Sequence, residues 1–224
     1  MDCISEQVYR SREDIAADIV NVLREELADC LDAGAALVQF DEPVFSEVVF
    51  SGSKNKRSFM CGALSESLGT AEELAFARDL LRALFDGFPR DRIALHVCRG
   101  NWSKVESIAL KGSYAPLIDC LSAVDAGAYL LEMATPRAGE MDLLTALPDT
   151  ARIGVGVVNQ KLDVSEAEDE VASRIQQAVD LFGADRVLLH PDCGFATFAD
   201  APMCSAGHAE EKLGLIARVA QRHA

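Results

Sequence analysis

Apolar residues recur at helical spacing through "SREDIAADIVNVLREELADCLDAG" (11–34), where Ser11 stands three residues before Asp14 as a capping signal and Gly34 offers a stop. The pattern then changes to a short unbroken apolar run, "AALVQF" (35–40), closed by Asp41-Glu42-Pro43. Such a run suits a strand buried on both faces of a parallel sheet. The alternation repeats. A helix over 70–86, opened by a Thr70/Glu73 capping pair, precedes the strand "RIALHV" (92–97), and a helical stretch near 114–124 precedes a strand over 128–132. A shorter helix near 138–146 leads to "RIGVGVV" (152–158), a helix over 165–181 leads to "RVLLHP" (186–191), and a last helix covers about 204–222.

Five strands and six helices that alternate singly imply right-handed βαβ units and an α/β fold with one parallel sheet. No linker, low-complexity tract or composition break interrupts the pattern, so residues 1–224 are expected to form one domain. Composition narrows the function classes. Lys+Arg 21 against Asp+Glu 36 gives a net charge of −15, which repels nucleic-acid backbones and anionic lipid. The basic cluster Lys54, Lys56 and Arg57 lies among Ser, Gly and Asn and is expected to be a solvated loop. No secretory apolar segment opens the chain and no run of 18 apolar residues occurs in it, so no membrane partner is expected. Seven cysteines at irregular spacing make a poor disulfide framework, and a reducing, cytoplasmic location with mostly buried thiols is expected. Cys30 and Cys120 fall in helical patterns and are expected to be small core residues.

In parallel α/β folds the chemistry gathers at the carboxyl edge of the sheet. Here that edge receives Asp41 and Glu42 from the first strand, His96 and Cys98 from the second, Glu132 from the third and Cys193 of "HPDCG" from the last. His96 and Cys98, at i and i+2, share one side of a strand. Two thiolates, an imidazole and a carboxylate match the four-coordinate preference of zinc. Bland alternatives stand beside this reading: a hydrogen-bonded core His, inert thiols, and a Glu132 that simply pairs with Arg137.

The stretches "LVQFDEP", "HVCRGNW", "LLEMATPRAGEMDLL" and "HPDCGFATF" resemble the strand-end motifs of the catalytic domain of cobalamin-independent methionine synthase, most closely its short single-barrel relatives. The resemblance runs in order over essentially the whole chain. It implies a (β/α)8 TIM-barrel fold and a zinc-dependent (Zn2+) methyltransferase that makes methionine from homocysteine. It also implies His96, Cys98, Glu132 and Cys193 as metal ligands, with Glu132 yielding to the substrate sulfur, and Asp41 as the residue that holds the substrate ammonium.

By the same resemblance the chain begins just before the fourth βα unit, so a partial barrel is expected, completed by self-association or by a second polypeptide. Full-length members carry a His after the strand that follows the Glu ligand, thought to protonate the leaving folate. The corresponding stretch here, "GVGVVNQKLDVSE", has none. The methyl donor is therefore open between methyltetrahydrofolate and a methylcorrinoid, with His190 and His208 as proton donors by residue type only. Two other functions compete: a related zinc alkyltransferase acting on another thiol, and a non-catalytic zinc-binding or assembly subunit.

Overall fold

The computed structural model describes residues 8–50, 69–101 and 103–222. Among them, β1 (Val38–Glu42), β2 (Ile93–Val97), β3 (Ala128–Leu131), β4 (Arg152–Val158) and β5 (Val187–Pro191) form one sheet in the order β1-β2-β3-β4-β5. All four pairings are parallel. Because each strand lies beside its successor with no reversal of order, the sheet is an arc of the (β/α)8 type rather than a doubly wound sheet, whose order turns back at a switch point.

The α-helices among the described residues are α1 (Arg12–Asp32), α2 (Val44–Phe50), α3 (Thr70–Phe85), α4 (Ile118–Val124), α5 (Glu168–Phe182) and α6 (Ala206–Ala220). Ser11 caps α1 by accepting from the Asp14 N–H at 3.1 Å. At the other end Gly34 takes φ +92°, a conformation that favours glycine, and its N–H and that of Ala35 close onto the carbonyls of Leu31 and Cys30. Helix α3 is capped differently from the sequence expectation. Gly69, not Thr70, is the cap, and the Glu72 carboxylate accepts from the Gly69 N–H at 3.2 Å. The expected helix at 138–146 is instead two 3-10 segments, Pro136–Ala138 and Met141–Ala146.

Helices α1, α5 and α6 pack on the sheet and α3 bridges α1 and α4, burying one apolar cluster that includes Leu27, Leu84, Leu95, Leu121, Tyr129, Ile153, Val171 and Val219. All five residues of β2 are buried. The outer strands differ: β1 alternates half-buried and exposed positions before the buried Glu42, and every residue of β5 is partly exposed. Burial of β1 on both faces, the sequence expectation, fails: Val38 and Phe40 pack against the core, while Gln39 and Asp41, on the opposite face, are exposed. Cys30 is also corrected. It is exposed on α1, Cys120 is half-buried, and only Cys204 is buried among the described thiols. The cluster Lys54, Lys56 and Arg57 lies outside the described residues. No helix among them is long and apolar enough to cross a membrane.

Strand β4 carries two glycines where its neighbours come close. A Cβ on Gly154 would meet Cδ2 and Nε2 of His190 at 3.1 Å, and a Cβ on Gly156 would lie 2.9 Å from the Cα of Asp192. The second contact is with backbone and cannot be relieved by a rotamer change. Gly156→Ala should therefore cost about 1–3 kcal/mol in urea unfolding, whereas Gly207→Ala in α6, with its nearest atom at 3.9 Å, should be neutral or stabilising by up to about 1 kcal/mol. Equal stability of the two variants would contradict this packing.

Candidate metal and active site

Strand pairing sets the site. Register places Asp41 opposite His96 and His96 opposite Leu130, so the carboxyl ends of β1, β2 and β3 finish level. Cys98, just past β2, stays tied to β1 through its N–H to the Glu42 carbonyl at 3.2 Å. Glu132 follows β3 directly, and Cys193 stands two residues beyond β5. These placements bring one ligand atom each from His96, Cys98, Glu132 and Cys193 within 4.8 Å of one another.

The environment of the four favours a cation. His96 is buried, its Nδ1 lies 3.1 Å from the Leu130 carbonyl, and its Nε2 is buried with no hydrogen-bond partner. A histidine held by a backbone carbonyl at one nitrogen and free at the other is the usual arrangement for a metal ligand. Burial disfavours the His96 imidazolium, but the Cys98 thiolate, Glu132 and Asp41 outweigh it and raise the pKa. The thiols share a proton. A hydrogen bond from Cys193, helped by His96 and by the Asn101 and Gly100 N–H groups, brings Cys98 down to about 4 against the cost of burial. The same hydrogen bond, with burial and the charges of Cys98 and Glu132, pushes Cys193 well above the ordinary thiol range. A divalent cation relieves this crowding of negative charge, and a set of two sulfurs, one nitrogen and one oxygen suits zinc. Tetrahedral bonds of about 2.0–2.3 Å place ligand atoms roughly 3.3–3.8 Å apart, so a contraction of about 1 Å closes the site.

Glu132 is fully buried, and burial together with the Cys98 charge raises its pKa. Its Oε1 accepts from the Arg99 N–H at 2.9 Å and from the Asn101 amide, and its Oε2 accepts from Arg137 Nη2 at 2.7 Å. Arg137 also pairs with Asp192 at 3.3 Å and with Glu106. Pairing with Arg137, weighed above as an alternative to the ligand role of Glu132, thus coexists with the four-residue cluster. Burial and the Glu132 charge lift the Asp192 carboxyl to about 7, and its Oδ1 accepts from the Ala134 N–H at 2.7 Å. Tyr114 completes the frame by accepting from the Glu132 N–H at 2.9 Å and from Arg99 Nε at 3.2 Å.

The other residues singled out in the sequence separate. Asp41 stands at the sheet edge, exposed, with its carboxylate bonded to Gln39 Nε2 at 2.8 Å. Glu42 is structural: it is buried, its Oε1 accepts from the Val44 and Phe45 N–H groups at the start of α2, and burial lifts its carboxyl to about 7. His190 lies in the sheet with its ring edge-on to His96 at 6.4 Å, and its Nδ1 is 2.6 Å from the Pro191 carbonyl. His208 is partly exposed at the start of α6, with its Nδ1 3.0 Å from Ser205 Oγ. Sequence reasoning missed the frame of Arg99, Asn101, Tyr114 and Asp192. Three of these stand inside the quoted motifs "HVCRGNW" and "HPDCG", but Tyr114 carries no local signal.

The chain is 24% identical over 188 residues to a methionine synthase of Sulfurisphaera tokodaii, covering 84% of this chain and 45% of the relative. It is also 24% identical over 188 residues to a 5-methyltetrahydropteroyltriglutamate–homocysteine methyltransferase of Bacillus velezensis, covering 84% of this chain and 21% of the relative. Its fold is similar to that of a B12-independent methionine synthase from Shewanella sp. W3-18-1 solved with selenomethionine, with a TM-score of 0.73 at 22% identity over 96% of this chain and 56% of that one. The chain thus spans about half the length of the first and third of these relatives and about a fifth of the second. Residues 3–209 match the family described as the catalytic domain of cobalamin-independent synthase, and the chain belongs to that family.

Proposed function

We propose that this chain carries the zinc site of a methyltransferase that moves a methyl group to the thiol of homocysteine, giving methionine. The observation that carries the reading is the convergence of His96, Cys98, Glu132 and Cys193 from three strand ends, with the His96 Nε2 buried and unbonded. Zinc would be held by these four residues, and when bound it supplies a Lewis acid that keeps the substrate thiol deprotonated near neutral pH, where a free thiol of pKa about 8.5 is mostly protonated. The surrounding residues do the rest. Arg99, Asn101 and Arg137 hold the Glu132 carboxylate through separate bonds, so a carboxylate that yields its place to substrate sulfur retains partners. Asp41, acceptor-only when ionised, fixes the substrate ammonium and so aims the sulfur. Methyltetrahydrofolate and methylcobalamin are the candidate donors.

The reading includes a partner surface. β1 and β5 are the outer strands of the described sheet, and unpaired strand edges invite further strands, from a second copy or a second polypeptide. A non-catalytic zinc-binding or assembly role would use the same surface and the same four ligands, and differs in giving no methionine from homocysteine with either donor.

Three outcomes are expected. Elemental analysis should find about one zinc per chain and conversion of homocysteine to methionine with at least one donor, and Cys98→Ser with Cys193→Ser together should lose the metal. Zinc retained in full by the double variant, or no methionine from either donor, would overturn the reading. Asp41→Asn removes a charge-assisted bond of about 1.5–3 kcal/mol, so homocysteine should bind about ten- to a hundredfold more weakly by calorimetry, while an amine-free thiol is unaffected. Light scattering of the purified chain should show self-association, relieved when the remaining βα units are supplied; a monodisperse 24.1 kDa monomer would argue against the partner surface.

A further inference from the structure

Two lysines are buried among the described residues, Lys161 and Lys212. Lys212 on α6 is accounted for: its Nζ donates to the Val164 carbonyl at 2.7 Å and to Glu166 at 2.8 Å. Lys161 is not. Its side chain is 1% exposed, its Nζ has no hydrogen-bond partner, and the Glu106 carboxylate stands 3.9 Å away. That carboxylate already serves Arg137. An ammonium has three protons to give, and a buried one that gives none calls for an explanation.

The place of Lys161 supplies one. It follows β4 at the same carboxyl edge that holds the four-residue cluster, and the Asn159 side chain fixes its backbone N–H at 2.9 Å. The charged groups that bear on it come from every neighbouring strand end: Glu106 beyond β2, Glu132 and Arg137 beyond β3, and Cys193 beyond β5. Burial lowers its pKa, Arg137 lowers it further, and Glu106, Glu132 and Cys193 recover only part of the loss.

We propose that Lys161 is a catalytic residue, the proton donor to the nitrogen from which the methyl group departs. The proposal rests on the methyl-transfer reading above and specifies its donor as an N-methyl amine of the methyltetrahydrofolate class. In the step, the thiolate sulfur forms a bond to the methyl carbon as the carbon–nitrogen bond breaks, with its electron pair going to nitrogen. The Lys161 Nζ proton passes to that nitrogen, leaving a secondary amine and a neutral lysine that takes its next proton from water. An amine cannot leave as its anion, so an acid is required; a corrinoid leaves as the reduced metal and needs none. Neither histidine is placed as well: His208 is a partly exposed helix residue, and His190 lies within the sheet, its ring close against Gly154 and edge-on to His96 at 6.4 Å.

The test compares donors in zinc-loaded protein. Lys161→Met keeps the length of the chain and removes the proton; it should keep its zinc and lose about 10²–10⁴-fold in kcat with methyltetrahydrofolate, while any turnover with methylcobalamin changes less than about threefold. In parallel, NMR of ε-13C-labelled lysine, assigned by the signal missing in Lys161→Met, should show Lys161 titrating below the ordinary value of about 10.4. An equal loss with both donors, or titration at the ordinary value, would overturn the assignment. Wild-type turnover with methylcobalamin alone would overturn it and leave the methyl-transfer reading standing, whereas zinc-loaded wild type inactive with both donors overturns that reading first.

Discussion

A carboxylate with no contact to solvent has to be compensated where it stands, and Glu132 is such a carboxylate. Three donors meet it, from the Arg99 backbone, the Asn101 amide and the Arg137 guanidinium. Each donor is held in its turn. Arg99 stacks over Tyr114 at 4.1 Å and donates to the Gly112 carbonyl at 2.7 Å, while Arg137 is shared with Asp192 and Glu106. Removing one partner of a buried pair of this kind costs about 3–5 kcal/mol, because it strands the other charge. The loops after β2 and β3 and the turn after β5 are thereby fixed to one another through a single side chain.

The same compensation explains why the thiols are where they are. Arg137 balances Glu132, Asp192 and Glu106 in part, and the Cys98 thiolate adds a further negative charge against the same wall of the site. Asp192 and Cys193 are adjacent, so the strand end that delivers a sulfur also delivers a carboxylate to the guanidinium. The result is a strand-end rim in which the two thiols share a proton and a buried imidazole nitrogen is left unbonded. A cation is the group that such a set of donors lacks.

Strand β4 contributes none of the four candidate ligands, and its role is to make room. Gly154 and Gly156 let the His190 ring and the Asp192 backbone approach within distances that a methyl group would not allow. Immediately beyond this strand the chain turns Lys161 inward at the rim, where the Glu106 carboxylate stands 3.9 Å away and the Nζ has no hydrogen-bond partner.

The sequence by itself determined the alternation of elements and the strand ends. Apolar runs and helical spacing are local, and the five strands and the helices α1, α3, α5 and α6 follow from them to within a few residues. The His96-x-Cys98 spacing, Glu132 after its strand and the Pro-Asp-Cys-Gly turn were legible for the same reason, since each is a strand plus its next few residues. Helix α2 was not legible, because it is only seven residues long and is started by Glu42 folding back on its own backbone. Nor was the fate of Cys30, which depends on which face of α1 meets the sheet. Tertiary structure alone decided which charges are buried together. Arg137 meets residues 5, 31 and 55 positions away, and the free Nζ of Lys161 differs from the bonded Nζ of Lys212 only in what the rest of the chain brings to it. Burial and pairing are sums over distant segments, and no local pattern encodes them.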